Sequence, residues 1–252
     1  MSGKLLIMES LRLGYDREIY GPVDASASPG EMIALVGPNG VGKSTLLKSI
    51  SGIQHFRSGV IRLDSRDIRK IGHTEIASLI SFVPSQSPRA KNLSLFDMVS
   101  SGCFNRTNWL GETTEEDRML IIETLDRVGL NGFAERDSSQ LSDGEFQRAA
   151  IARSLVQQSG IILLDEPTAF LYIENKLIIT RLLKKLATEE KRCIIFSTHD
   201  LQLAIKLCDK IWLMGSDGFH QGAPSELIEN GAFDTMFKDS TLKFDKTLYT
   251  FV

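Results

Sequence analysis

A glycine-rich stretch at residues 37–45, GPNGVGKST, carries the clearest chemical signal in the sequence. Its fixed positions fit the pattern G-x-x-x-x-G-K-[ST], and they are Gly37, Gly42, Lys43 and Ser44. The glycines let successive backbone N–H groups point at phosphate oxygens, and the lysine adds a point charge for the terminal phosphates. The serine hydroxyl suits Mg²⁺, a hard cation that prefers oxygen ligands. The stretch therefore predicts binding of a nucleoside triphosphate.

The residues on either side give this loop its context. Met32–Val36 (MIALV) is a short apolar run typical of a buried strand, and LLKSI from Leu46 onward can open a helix. The start of a helix carries a partial positive charge, which favours a bound anion. A plain glycine-rich turn before a helix is the alternative interpretation. The filled pattern between a strand and a helix favours a phosphate-binding loop.

Two adjacent carboxylates, Asp165 and Glu166, follow an apolar run in the sequence IILLDEP at residues 161–167. Sheets of α/β proteins present ligand-binding groups at the carboxyl ends of their strands. A carboxylate there helps to hold Mg²⁺ in phosphate-loop enzymes, which predicts Asp165 as a metal ligand. Glu166 is placed to orient or deprotonate an attacking water. A polar strand end without catalysis is the alternative, and the phosphate loop upstream favours the catalytic interpretation.

His199 follows a third apolar run, CIIFST at residues 193–198. A single histidine is more often structural than catalytic. At a carboxyl strand end beside the two others, however, it is placed to face the γ-phosphate as a donor or positioning group. We therefore group His199 with Lys43 and Glu166 as candidate catalytic residues.

The stretch LSDGEFQR at residues 141–148 reads as the start of a helix. Ser142 is a suitable N-cap, and Glu145 three residues later completes a capping box. A capped helix start behind a glycine is also a potential anion site. Local physics leaves both interpretations open.

The apolar pattern indicates which elements position these residues. Apolar runs alternate with helical spacing, which predicts an α/β fold: a phosphate-loop NTPase core with a mainly parallel sheet and an antiparallel β part. The spacing of Met119, Ile122, Leu125 and Val128 predicts a helix stripe packed in the core. We predict a single domain, residues 1–252, made of an ATPase core, a helical sub-domain and a tail without a predicted role: residues 1–90 with 141–230, 91–140 and 231–252.

Composition and charge narrow the class of protein. The chain has 252 residues, 42% hydrophobic and 24% charged, and its net charge of −3 argues against a broad basic surface for nucleic acid. No stretch approaches the ~20 apolar residues of a membrane span, and the first residues lack a signal-peptide pattern. Cys103, Cys193 and Cys208 have no metal-ligand spacing and suit packing in a reducing compartment. We expect a cytoplasmic protein that reaches a membrane only through a partner.

Four motifs in this order, GPNGVGKST, LSDGEFQR, ILLDEPT and STHD, make the chain resemble the nucleotide-binding subunit of an ABC transporter over roughly residues 4–230. The resemblance implies ATP with Mg²⁺, and an ATP-bound homodimer whose subunits clamp two ATP molecules head to tail. Ser142, Gly144 and Glu145 would then contact the γ-phosphate held by the partner's loop, and Tyr15 would stack on adenine. The resemblance also assigns three other residues of the phosphate loop to the nucleotide, Asn39, Gly40 and Thr45.

The chain departs from the family pattern at three places. The signature, which usually reads LSGGQ, is here LSDGE. The family's metal-contacting glutamine normally follows the proline directly, but Ser85 stands between Pro84 and Gln86. We expect Gln86 to reach Mg²⁺ through a one-residue bulge, with Ser85 as the alternative. Tyr172 stands where the family has an aspartate in a loop that communicates between subunits, so coupling between the two ATP sites is expected to differ.

The resemblance implies an ATPase that powers a separate integral membrane permease at the inner face of the membrane. Docking is expected through the helical sub-domain and the segment near Gln86. Residues 95–111 are similar to the stretch that follows this loop in importers of iron–siderophore, haem and vitamin B12. This similarity favours metal-chelate import with a separate substrate-binding protein. Two alternatives stay open. One is a non-transport ABC ATPase acting on nucleic acid or the ribosome, which typically carries a coiled-coil insertion; the other is a regulatory nucleotide-binding protein without turnover, supported only by Tyr172.

Overall fold

Strands and helices alternate along most of the chain in the computed structural model. It describes residues 3–14, 16–104, 113–169, 171–237, 241 and 243–251, so that Tyr15 and part of the 95–111 stretch lie outside the described residues. The strands and α-helices follow in the order β1 (Leu6–Gly14), β2 (Glu18–Ala27), β3 (Met32–Val36), α1 (Lys43–Ile50), β4 (Ser58–Leu63), β5 (Arg66–Asp67), α2 (His73–Leu79), β6 (Ile80–Val83), α3 (Leu95–Ser100), α4 (Glu115–Arg127), α5 (Asp143–Val156), β7 (Ile161–Leu164), α6 (Ile173–Glu190), β8 (Cys193–Ser197), α7 (Leu201–Leu207), β9 (Lys210–Met214), β10 (Phe219–Gly222), α8 (Pro224–Glu229), β11 (Phe244–Asp245) and β12 (Thr250–Phe251).

A six-stranded sheet in the order β10-β9-β3-β8-β7-β6 forms the centre of the protein. Neighbouring strands from β9 to β6 run parallel, and only the edge strand β10 is antiparallel. This order places β3, β8 and β7 side by side, with their carboxyl ends at one edge. The prediction of a mainly parallel sheet is confirmed.

Both faces of the central strands β3, β7 and β8 are buried, which explains why these strands are almost entirely apolar rather than alternating. Successive side chains of a strand point to opposite faces, so β3 contributes to two separate cores. Ile33 and Leu35 face a core shared with α1, whereas Met32, Ala34 and Val36 face a core shared with α3 to α7.

A second, antiparallel sheet in the order β2-β1-β4-β5 covers one face of the first. Leu6, Met8 and Leu11 of β1 share a core with Leu46 and Leu47 of α1. The helix that follows the phosphate loop is therefore held by apolar packing with this sheet. The strand β2 was not predicted from its sequence, EIYGPVDASA, because its glycine and proline interrupt the strand pattern; pairing with β1 supplies the order.

The described part of residues 91–140 is largely helical, with α3 and α4 packed on α5. Here one sequence prediction is wrong: Met119 is 68% exposed and Ile122 is 50% exposed, although Leu125 and Val128 are buried as expected. The buried face of α4 runs through Ile121, one residue before Ile122 of the predicted stripe, because α3 and α5 pack on that side of the helix. The division into core, helical sub-domain and tail stays a prediction.

The tail forms more structure than its weak periodicity indicates. Strands β11 and β12 pair as a small antiparallel ribbon. Phe244 stacks on Phe233 with ring centroids 4.6 Å apart, and Phe251 contacts Phe237 at 4.8 Å. Aromatic packing, not local propensity, holds this segment against the core. Among the helices described, none has the length and apolar character needed to cross a bilayer.

Candidate functional site

Three predicted sites meet at one edge of the parallel sheet. The phosphate loop follows β3, the paired carboxylates follow β7, and His199 comes two residues after β8. The registers Leu35 with Ser197 and Phe196 with Leu164 show that these three strands end at the same level. The site is thus assembled at adjacent strand ends, where parallel sheets bind ligands.

The phosphate loop holds Lys43 in a folded-back position. Gly42 caps α1 with φ of 115°, a left-handed conformation that favours glycine. The ammonium of Lys43 donates to the carbonyl oxygens of Gly37 (2.9 Å) and Pro38 (3.0 Å). Burial lowers the pKa of Lys43, while the carboxylates of Glu166 and Asp165 act in the opposite direction. The lysine is therefore a nearly desolvated cation held within the loop.

A chain of hydrogen bonds joins the loop to the carboxylate of Asp165 and to the backbone of Glu166. The hydroxyls of Ser44 (3.0 Å) and Ser197 (2.8 Å) both donate to Oδ1 of Asp165, which is 4% exposed. The backbone N–H of Glu166 donates to Oγ of Ser197 at 2.8 Å. A buried carboxylate beside a hydroxyl is an oxygen donor set that fits Mg²⁺, an ion usually held by one or two protein oxygens and phosphate. Ser44 and Asp165 are thus brought together as predicted.

Ser197 is a site residue that the sequence analysis missed. Its hydroxyl is fully buried and connects Asp165 with the backbone of Glu166. The available signal was its position at the end of β8, directly before Thr198 and His199. It was missed because a serine in an apolar run is usually interpreted as an ordinary residue of a buried strand.

Glu166 and His199 form a direct pair. Nε2 of His199 lies 2.7 Å from Oε1 of Glu166, and both side chains are partly exposed. Glu166 has φ of 49°, a sparsely populated region for a residue other than glycine. Strained backbone of this kind is found at functional sites, where surrounding contacts hold it in place. The pair joins the residues that follow β7 and β8.

The predicted capping box at Ser142 is confirmed. The hydroxyl of Ser142 accepts the N–H of Glu145 at 3.3 Å, and Oε2 of Glu145 accepts both the N–H and the hydroxyl of Ser142 at 2.8 Å. The Ser142 N–H holds the pKa of Glu145 below its usual range. A Cβ on Gly144 would lie 2.6 Å from the side chain of Asn175, so any other residue at this position requires that side chain to move. These contacts hold the start of α5 together and pack it against α6.

Arg89 is a second residue that the sequence analysis missed. Its guanidinium donates to the carbonyl oxygen of Leu141 and to Oδ1 of Asp143, both at 2.6 Å. It also lies over the ring of Phe146, 4.7 Å from the centroid. The arginine comes from the loop after β6, 52 and 54 positions before its two hydrogen-bond partners, so no local pattern could reveal it.

The departures Gln86 and Tyr172 lie at different places. Gln86 lines a cavity of about 360 Å³ together with Arg89 and Asp143, beside the start of α5, which carries the LSDGE sequence. Its predicted approach to Mg²⁺ stays a prediction. Tyr172 is the N-cap of α6 without a side-chain capping bond and is 86% exposed. Its predicted effect on coupling between sites also stays a prediction.

The family model described as ABC transporter matches residues 20–169. The iron(3+)-hydroxamate import ATP-binding protein of Bacillus subtilis is 36% identical over 202 residues, 80% of this chain and 75% of that protein. An inward-facing structure of a putative metal-chelate type ABC transporter superposes with a TM-score of 0.82 at 26% identity, covering 99% of this chain and 96% of the other. A dimeric bacterial ABC transporter cassette gives a TM-score of 0.72 at 27% identity, covering 82% and 93%.

These similarities confirm the predicted fold and the resemblance that the four motifs indicated. Family and geometry agree, because the matched region contains the phosphate loop, the LSDGE helix start and the paired carboxylates. The chain therefore belongs to the ABC transporter family, as an ATP-binding subunit that hydrolyses ATP.

Proposed function

We propose that this subunit hydrolyses ATP with Mg²⁺ at the edge of the sheet where β3, β7 and β8 end. The observation that carries the proposal is the continuous hydrogen-bonded path from Ser44 through Asp165 and Ser197 to Glu166 and His199. This path joins the groups that would hold the metal to the groups that would activate water.

Each residue has a role that follows from its position. Lys43 and the loop N–H groups hold the terminal phosphates, and Ser44 with Asp165 would hold the metal. Bound Mg²⁺ would neutralise negative charge on the phosphate oxygens. Glu166 accepts the proton of the attacking water, and His199 keeps that carboxylate oriented and stabilises the developing charge near the γ-phosphate. The remaining assignments for the nucleotide are those of the resemblance: Tyr15, Gly37, Asn39, Gly40, Gly42, Thr45 and Gln86.

The second part of the proposal is a head-to-tail homodimer in the ATP-bound state. The dimeric cassette to which this chain is similar supports dimerisation. Ser142 and Gly144 at the start of α5 would contact the ATP of the partner, because a helix start offers unpaired N–H groups to an anion. The carboxylate of Glu145 is engaged with Ser142, so we assign it to holding the helix start rather than to direct phosphate contact.

The third part concerns partners and cargo. The Bacillus subtilis relative is an import ATP-binding protein, and one structural neighbour is of the putative metal-chelate type, which supports a permease partner and a metal-chelate cargo of the siderophore, haem or cobalamin kind. A substrate-binding protein would select the cargo outside the membrane. The subunit would then lie at the inner face of the membrane through its permease, with the cavity lined by Pro84, Gln86 and Arg153 available for docking.

The deciding experiment measures turnover of the unmodified protein together with size-exclusion chromatography of Glu166→Gln in Mg-ATP. We expect turnover in the first and an ATP-dependent dimer in the second. Absence of turnover in the complete transporter would contradict the ATPase assignment. A variant that binds ATP in the presence of its permease yet never dimerises would contradict the composite site. Uptake of a radiolabelled ferric chelate, lost when the subunit is deleted, tests the cargo separately.

A further inference from the structure

The start of α5 presents an electrostatic conflict. It is the surface proposed to receive a phosphate, yet it carries two carboxylates, Asp143 and Glu145, within its first turn. Carboxylates stabilise a helix N-terminus in isolation, but they repel an incoming phosphate at the same place. The usual family signature LSGGQ has neither charge, whereas LSDGE in this chain has both.

The charge of Glu145 is offset within the helix start. Its carboxylate accepts the N–H and the hydroxyl of Ser142, and Arg136 lies 3.8 Å away. These contacts direct the carboxylate back onto the N-cap. The negative charge of Glu145 is therefore compensated by these contacts, and its carboxylate points toward its own chain.

The charge of Asp143 is offset from a different part of the chain. Its side chain is 79% exposed and makes an ion pair of 2.6 Å with Arg89, whose side chain is only 32% exposed. Arg89 is held at three points, since it also donates to the Leu141 carbonyl at 2.6 Å and covers the ring of Phe146. An arginine fixed in this way is pre-organised, unlike a flexible surface cation.

We propose that Arg89 is a positioning residue for the signature: by pairing with Asp143 it makes an acidic helix start able to receive the γ-phosphate of the partner's ATP. This inference rests on the proposed composite site. Without the arginine, Asp143 would face the phosphate uncompensated and would oppose closure of the dimer. ATP binding to a single subunit would not change, because the phosphate loop lies on a different element.

The test is a double-mutant cycle in the Glu166→Gln background, with the ATP-dependent dimer constant measured by sedimentation. Arg89→Met keeps an unbranched stem over Phe146 but removes the charge, and we expect it to weaken the dimer about tenfold. Asp143→Asn removes the opposing charge, so the double variant should regain the parent value within about twofold. The weakening should also diminish in high salt, as an electrostatic effect does.

A second variant and a control separate charge from structure. Arg89→Gln lacks the charge but can still donate to the Leu141 carbonyl, and it should weaken the dimer as Arg89→Met does. Arg66→Met breaks another ion pair, of 2.8 Å, which joins Arg66 of β5 to Glu75 of α2, and it should leave the dimer unchanged. ATP affinity of the monomers should be the same in all variants.

Three results would overturn the inference. The double variant could stay as weak as Arg89→Met, which would mean that Arg89 acts only as a structural clamp. Arg89→Gln could dimerise like the parent, which would assign the effect to the Leu141 hydrogen bond. A parent Glu166→Gln protein that binds ATP without dimerising, even with its permease, would overturn the composite site and this inference together.

Discussion

Glu166 and His199 lie 33 positions apart in the sequence, yet Oε1 of the glutamate is 2.7 Å from Nε2 of the histidine. Because the pair stands at the ends of β7 and β8 beside the phosphate loop, we predict that Glu166→Gln lowers turnover by about 10²- to 10⁴-fold, the usual contribution of a general base. ATP binding should be retained, since the amide is isosteric. Single-turnover hydrolysis and a nucleotide-binding titration measure the two effects, and normal turnover in this variant would contradict the assigned role.

Replacement of His199 by alanine should remove the group that orients Glu166. We expect turnover to fall by about 10²-fold while ATP affinity changes little, because the histidine acts mainly on the reacting centre. The matched control is His220→Ala, since His220 also pairs with a carboxylate, Asp217 at 3.2 Å, but on strand β10. Equal losses in the two variants would show that the effect is not specific to the site.

Loss of the buried Ser197 hydroxyl should misplace both carboxylates. Ser197→Ala leaves the N–H of Glu166 without its partner, which costs about 1–3 kcal/mol of unfolding free energy. Turnover should fall about tenfold or more, with a raised requirement for Mg²⁺, because Asp165 loses a hydrogen bond. Ser159→Ala is the control: this buried hydroxyl bonds Ser81 and the Ile161 carbonyl and should affect stability alone. Normal turnover and Mg²⁺ dependence in Ser197→Ala would refute the prediction.

Lys43 should destabilise the ATP-free protein. Burial lowers its pKa, so between that lowered pKa and the unfolded value of about 10.4 the unfolded chain binds the proton more strongly. The unfolding free energy should therefore rise with pH in this window, and the rise should disappear in Lys43→Met. The variant should melt higher than the parent without nucleotide, as removal of a buried charge allows, yet lose most stabilisation by ATP. Thermal denaturation of parent and variant, measured over a range of pH and of ATP concentration, tests both predictions. A lower melting temperature of Lys43→Met than of the parent without nucleotide would contradict the proposed cost of burying the lysine.

Introduction of a large cation at the α5 N-cap should block dimer closure. Ser142→Arg places a long side chain where the partner's ATP is proposed to lie and removes a cap worth about 1 kcal/mol. Monomers should still bind ATP but should not dimerise in the Glu166→Gln background. Thr114→Arg removes the similar cap of α4, where Thr114 accepts the N–H of Asp117, and should leave dimerisation intact. ATP-driven dimers of Ser142→Arg would contradict the composite site.

Local sequence was a good guide where one element carries the information. The phosphate loop, the strand before it and the capping box at Ser142 are read from neighbouring residues, and the structure places each as predicted. Prediction was wrong at Met119 and Ile122, because helical spacing indicates a stripe but not which side of α4 the helix α5 will cover. It missed β2 and the β11–β12 ribbon, since pairing and aromatic packing with distant residues order these segments.

By itself, the sequence determined the chemical groups and the strand ends that carry them: Lys43 and Ser44, Asp165 and Glu166, and His199. Short motifs suffice for this, because the loop and strand ends are set by glycine conformations and apolar runs of a few residues. Only the tertiary structure decided that Ser197 links the carboxylate of Asp165 to the backbone N–H of Glu166 and that Arg89 pairs with Asp143, 54 positions away. The physical reason is that a hydrogen bond depends on distance in space, and the order of strands in the sheet, not local propensity, brings these groups within reach of one another.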